Sequence, residues 1–235
     1  MIPGLIDHRN AALLKELEQD FTIKVEVVRD TEQYGCYSKE YESTIYVPES
    51  KISPPSFTHE LLHIYLRSKE IYIGSRIQRR TQASKRLSII YTEPLLDHIG
   101  NCLDHIKMLP IYLKLGYTRN QFLNDYKKHK CTHKEIEQIK EHWKHGQEYN
   151  ASAIEFYLEK YFAIQACPNT DIDYSKQIQE LRLINEPLFL INEKLIRRWT
   201  AMKIEGRDVS DDDYIIIAED YVKEMEGWAA LRSII

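Results

Sequence analysis

The chain has 235 residues, of which 43% are hydrophobic and 29% charged, and its formal net charge is −4. That is globular composition, so a fibrous or disordered chain is excluded, and the length suits one domain or one domain with a helical extension. The mild charge and the lack of a basic stripe give no electrostatic footing for nucleic acid, and no apolar run approaches the length of a membrane span.

The first residues, Met1-Ile2-Pro3-Gly4-Leu5-Ile6-Asp7, lack the charged-then-apolar order of a secretory leader. Cys36, Cys102, Cys131 and Cys167 are widely spaced and form no C-x-x-C pair. They read as reduced thiols, so a cytoplasmic protein is expected. Cys131-Thr132-His133 offers only two ligands and reads as a loop before a helix.

In chain order, Ala11, Leu13, Leu14 and Leu17 recur at helical spacing and predict a first helix over 8–18. Residues 21–28 alternate and are β-rich, which predicts a strand. Tyr34 to Tyr37 and Ser43 to Val47 predict two short strands around the charged turn Lys39-Glu40-Tyr41-Glu42. Ser53-Pro54-Pro55 then has the form of a helix start, with a Ser cap and Pro in the first turn.

The helix that follows carries the most informative residues in the chain. His59-Glu60-Leu61-Leu62-His63 is an H-E-x-x-H box inside the uncharged flanks Phe57-Thr58 and Ile64-Tyr65-Leu66. Positions i and i+4 lie on one helical face, one turn apart. Two imidazoles at that spacing can reach one zinc ion, and the Glu beside the first can lie next to a water activated by it. The uncharged flanks predict a buried helix; the competing interpretation is an amphipathic helix with a Glu–His pair on its wet side.

Residues 69–90 are polar, with Gly74 as a break, and read as the end of the box helix and a long loop. Arg76, Arg79, Arg80, Lys85 and Arg86 would belong to that solvated loop. Thr92-Glu93-Pro94 opens a helix expected to run to about Leu109, before Pro110. Tyr117-Thr118 starts a further segment. Thr132-His133-Lys134-Glu135 is a capping box for a helix expected to reach about Ala166. Residues 175–203 form another long amphipathic pattern, and Ser210-Asp211-Asp212-Asp213 caps a last helix reaching Trp228.

A catalytic zinc needs three protein ligands and one open position. The only later stretch dense in ligand types is Glu93 to His105, with Glu93, Asp97, His98, Asn101, Asp104 and His105. Asp97, Asn101 and His105 share one helical stripe. His105 is the preferred third ligand, with Asn101 one turn earlier to orient it; Asp97 and then Asp104 are the alternatives. Glu93 and Asp97 also fit an E-x-x-x-D spacing, but Glu93 at the helix mouth is better explained by capping and the helix dipole.

The box followed by a second ligand-bearing helix resembles the zincin superfamily of metallopeptidases. The small sheet ahead of the box is similar to compact, gluzincin-like bacterial zincins, including phage-repressor-cleaving peptidases of mobile elements. The resemblance covers roughly residues 20–110. Such relatives usually take a Glu as third ligand, and this chain has none well placed inside the second helix. The resemblance implies an α+β, mostly α fold: a small antiparallel sheet packed on the box helix and a second ligand helix, followed by a helical carboxy-terminal half. Residues 1–116 would form the zincin-like core and residues 117–235 an extension packed on it.

The implied activity is zinc-dependent peptide hydrolysis, with His59, His63 and His105 as ligands, Glu60 as general base, and a peptide or protein as substrate. Tyr65, Tyr91 and His98 are candidate donors to the oxyanion. Manganese, iron or cobalt can occupy the same imidazoles. One rival is a zincin-like metal-binding protein without peptidase activity. The other is a metal-free helical interaction protein using aromatic residues such as Trp143, Tyr157, Tyr161, Phe162 and Trp199, most of which read as core.

Overall fold

The structure, a computed structural model, describes residues 2–205 and 213–235. It is mixed α and β with helix predominating, as the sequence suggests. The expected cap at Ser210, Asp211 and Asp212 lies outside the described residues. The chain forms two compact units, each discontinuous in sequence: residues 1–71 with 107–128, and residues 72–106 with 129–235.

The first unit begins with α1 (Ala11–Leu17), β1 (Thr22–Val28), β2 (Gly35–Lys39) and β3 (Glu42–Pro48), followed by α2 (Pro54–Ser68). The three strands stand in the order β1-β3-β2. Strands β2 and β3 form the expected antiparallel hairpin, turning at Glu40 with φ +50°. Strand β1, however, pairs in parallel with β3, from Thr22 opposite Glu42 to Val28 opposite Pro48. The sheet is therefore mixed, not antiparallel throughout. The chain does reverse at each connection; what local sequence cannot state is that β3 returns between its two predecessors. That central place suits β3, whose Ser43, Ile45 and Val47 are buried on one face and alternate with less buried neighbours.

Helix α2 packs on β2, β3 and α1. It starts as the sequence suggests: Ser53 accepts a hydrogen bond from the Ser56 N–H at 3.4 Å, with Pro54 and Pro55 in the first turn. The Tyr34 hydroxyl locks this start by accepting from the Ser53 N–H at 2.9 Å and donating to the Lys51 carbonyl at 2.6 Å. Phe57, Leu61, Leu62, Ile64 and Leu66 are buried, so apolar contact surrounds most of the helix.

The stretch expected as a loop after α2 contains a helix, α3 (Ile73–Gln82). Its mean polarity conceals a narrow stripe of Ile73, Ile77 and Thr81, all buried at i, i+4 and i+8. The opposite face carries the arginines, and Arg76 and Arg80 pair with Glu219. Gly74 is not a break. It lies in the first turn of α3, against Gly100 of α4 (Glu93–Lys114).

Helix α4 opens where expected, with Thr92 Oγ1 accepting from the Leu95 N–H at 3.3 Å. It does not stop before Pro110 but runs on to Lys114. A proline inside a helix removes one hydrogen bond and costs about 3 kcal/mol. Burial of Met108 and Tyr112 on either side supplies the compensation.

The second unit continues with α5 (His133–His142), β4 (Lys144–His145), β5 (Glu148–Tyr149), α6 (Ala151–Gln165), α7 (Ser175–Ile184), α8 (Glu186–Ala201) and α9 (Asp213–Ala230). The Thr132–Glu135 capping box is present in full. The helix it opens ends at His142, not near Ala166, because Gly146, at φ +65°, turns a two-residue hairpin and Asn150 caps a new helix. The 175–203 pattern is likewise split, at the extended residue Asn185, whose side chain accepts from the Leu188 N–H at 3.0 Å. Trp143, Tyr157, Tyr161, Phe162 and Trp199 are all buried core. Several buried polar groups here are paired internally: Trp199 donates to the Leu103 carbonyl, and Tyr91, Tyr221 and Asn192 form a hydrogen-bonded chain. No helix among the described residues is long and apolar enough to cross a membrane.

The contact of α3 with α4 gives an asymmetric prediction. A Cβ on Gly74 would stand 2.8 Å from the Gly100 Cα, whereas a Cβ on Gly100 would stand 3.4 Å from the Gly74 Cα. Alanine favours a helix over glycine by about 1 kcal/mol, but a backbone clash costs about 1–3 kcal/mol. Urea denaturation should show Gly74→Ala less stable by about 1–2 kcal/mol and Gly100→Ala unchanged or more stable. Equal effects of the two would contradict the close approach.

Candidate metal centre

His59 and His63 project from successive turns of α2, with ring centroids 5.2 Å apart and planes at 66°. His105 comes from α4. One ligand atom from each of His59, His63 and His105 lies within 4.8 Å of the others. His59 is 9% exposed and His105 6%, and His63 is half-buried. Of the three candidates for a third ligand, the structure brings His105 to the pair. Asp97 is exposed and Asp104 half-buried, and neither belongs to the cluster. Asn101, expected to orient His105, is exposed.

Three imidazoles fit a divalent transition metal. Zinc bound to nitrogen at about 2.0–2.1 Å in a tetrahedron separates its ligand atoms by about 3.4 Å. Rings whose nitrogens already lie within 4.8 Å need only small rotations to reach that spacing. A ligating imidazole must also be neutral. Burial, first, and then the neighbouring His63 pull His59 down to about 3, against the opposing effect of a hydrogen bond with the Phe122 main chain. That bond occupies one ring nitrogen and orients the other, which is how metal-binding histidines are commonly held.

Glu60 lies beside His59 and is only 7% exposed. Burial pushes its carboxyl above the usual carboxylate range, and His63 draws it part of the way back. A buried carboxyl raised in this way is a candidate for taking and returning a proton.

The support for α2 comes from residues that the sequence did not single out. Thr58, one residue before His59, accepts from the Asn10 side-chain amide at 3.0 Å and hydrogen-bonds the Tyr117 hydroxyl at 3.0 Å. Tyr117 donates to Asp7 at 3.0 Å, and Arg9 grips the same carboxylate through Nε at 2.9 Å and Nη2 at 2.6 Å. The Arg9 guanidinium also sits 3.9 Å above the Tyr117 ring. From Tyr117 the rings continue in contact: Tyr112 stacked at 4.8 Å, Phe122 edge-on to Tyr112 at 5.1 Å, and His59 at 4.7 Å from Phe122. No local sequence signal marks Asn10, Tyr117 or Phe122 as neighbours of the box, because the contacts join segments far apart in the chain.

Two of the candidate oxyanion donors are engaged elsewhere. The Tyr91 hydroxyl pairs with that of Tyr221 at 2.7 Å, and His98 Nε2 lies 3.2 Å from the Glu159 carbonyl and 3.5 Å from the Cys102 sulfur. The four cysteines are free thiols. No family model, curated protein or solved structure matches the chain.

The Asp7 anchor sets a pH dependence. Burial alone would raise its pKa, but the hydrogen bonds from Arg9 and Tyr117 outweigh that and hold it at about 2, below the ordinary 3.8. A group depressed on folding adds stability that is complete above its unfolded value and fades as pH falls toward its folded value. Asp7→Asn should therefore lower stability by about 1–2 kcal/mol near neutral pH, a gap that narrows as pH falls from 4 toward 2. Thermal unfolding of both proteins across that range checks it; a gap that widens in acid would contradict the anchor.

Proposed function

We propose that the protein is a zinc-dependent metallopeptidase in which His59, His63 and His105 hold the metal and Glu60 is the general base. The observation that carries this reading is the convergence of three imidazole ligand atoms within 4.8 Å, with a buried carboxyl adjacent in the chain to one of them. Three histidines leave a tetrahedral metal one open position, the arrangement of catalytic rather than structural zinc. When bound, zinc would supply a Lewis acid that activates water and polarises a scissile carbonyl. The chain's own residues do the rest. His59, held by Phe122 and kept neutral by burial, and His63, one turn on, present ring nitrogens from one helix. Glu60 accepts a proton at its carboxylate and returns it to the leaving amine. The resemblance of the H-E-x-x-H box to zincins supports a peptide or protein substrate.

A second reading, a metal centre without peptidase activity, is favoured by one observation. His59, Glu60 and His105 are all deeply buried, and closed surroundings are typical of structural sites. Half-buried His63 is the side from which solvent or substrate would approach.

Zinc analysis and a peptide-library digest separate these readings. Wild type should carry about one zinc per chain and cleave peptides in a chelator-sensitive way. Glu60→Gln should keep its zinc and fold and lose cleavage by at least about 100-fold. His59→Ala and His105→Ala should lose zinc, and Asp97→Ala should not. Cleavage retained in Glu60→Gln would remove that residue from the mechanism. Zinc uptake without cleavage in wild type would favour the second reading.

A further inference from the structure

We infer that Phe122 is a positioning residue for the metal centre: its ring and main chain clamp the His59 imidazole, and the Arg9–Tyr117–Tyr112 stack holds Phe122 in place. This rests on the reading of His59 as a ligand and adds to it the means by which one ring is held in orientation.

An imidazole on a helix can rotate about two side-chain bonds, and a ligand must be fixed within about 0.5 Å to bind well. The neighbouring His63 meets it edge-on at 5.2 Å. Phe122 touches His59 twice. Its ring packs at 4.7 Å with a tilt of 54°, which restricts the imidazole on that side. Its main chain hydrogen-bonds one ring nitrogen, which selects the tautomer and leaves the other nitrogen for the metal.

Phe122 is itself fixed, although it lies just beyond a single short turn, Arg119–Gln121. Thr118 and Gln121 form a capping box on that turn, and the Tyr112 hydroxyl donates to the Gln121 carbonyl at 3.0 Å, one residue before Phe122. The Tyr112 ring lies edge-on to Phe122 and stacks on Tyr117, which carries Arg9 on its ring and Asp7 on its hydroxyl. Phe122 and Tyr112 are both buried. The outermost member of this series, Arg9, is half-buried, so the support starts near the surface and ends at the ligand.

The test compares wild type with Phe122→Leu, which keeps the carbonyl and the apolar bulk but removes the flat ring. Zinc affinity is measured by chelator competition on the full chain, and the ligand field by the visible spectrum of the cobalt-loaded protein. Phe122→Leu should bind zinc about 10–100-fold more weakly and show altered cobalt bands. A role in packing alone would lower the unfolding temperature and leave the cobalt spectrum unchanged. If Phe122→Leu does not fold, Tyr112→Phe removes only the hydroxyl that holds Gln121, and should shift the same two readouts in the same direction by about 3-fold or more. Wild-type affinity and an unaltered spectrum in the folded variant overturn the inference alone. A wild-type chain that takes up neither zinc nor cobalt overturns the metal reading and the inference with it.

Discussion

Three imidazoles cannot be charged together in so small a space. Two unit charges 4.8 Å apart repel by about 3–4 kcal/mol even at an effective dielectric of 20. Burial adds a further cost to each charged ring, and His59 accordingly stays neutral down to about pH 3. This constraint gives the cluster its chemical meaning. Imidazoles whose ligand atoms converge in this way could hold a cation, and burial beside them raises the Glu60 carboxyl. One buried environment thus shifts both the His59 imidazole and the Glu60 carboxyl toward their neutral forms.

The scaffold is arranged to hold α2 still. Tyr34 and Ser53 fix its first turn, Asn10 and Tyr117 take hold of it at Thr58, and Phe122 holds it at His59. These three points fall within about two helical turns, and their partners come from the amino terminus, the strand region and the segment beyond α4. None of them is a strong interaction alone. Together they limit the motion of the box helix more than its own backbone hydrogen bonds can, since a lone helix of this length is marginal in water.

The readable features were those with local causes. Ser53, Thr92 and Thr132 mark helix starts through their own side chains, and each cap is where the sequence suggests. The buried character of the box followed from its uncharged flanks. Features decided by distant packing were not readable. Pro110 reads as a stop, yet burial of Met108 and Tyr112 carries the helix through it. The α3 stripe of Ile73, Ile77 and Thr81 is too narrow to outweigh a surplus of polar residues in a count along the sequence. The order β1-β3-β2 depends on which edge receives β1, which no residue states. His105 joins the cluster, but Asn101, expected to orient it, and Asp97, the alternative ligand, are exposed. Phe122 was out of reach altogether, because an aromatic residue in a short turn carries no sign of what its ring will touch.

X-ray absorption at the zinc edge of the metal-loaded protein tests the central claim most directly, since it counts the ligands and identifies their atoms. The account predicts three imidazole nitrogens at about 2.0–2.1 Å with one additional light-atom ligand. A shell containing sulfur, two imidazoles only, or a purified chain that takes up no zinc would contradict it.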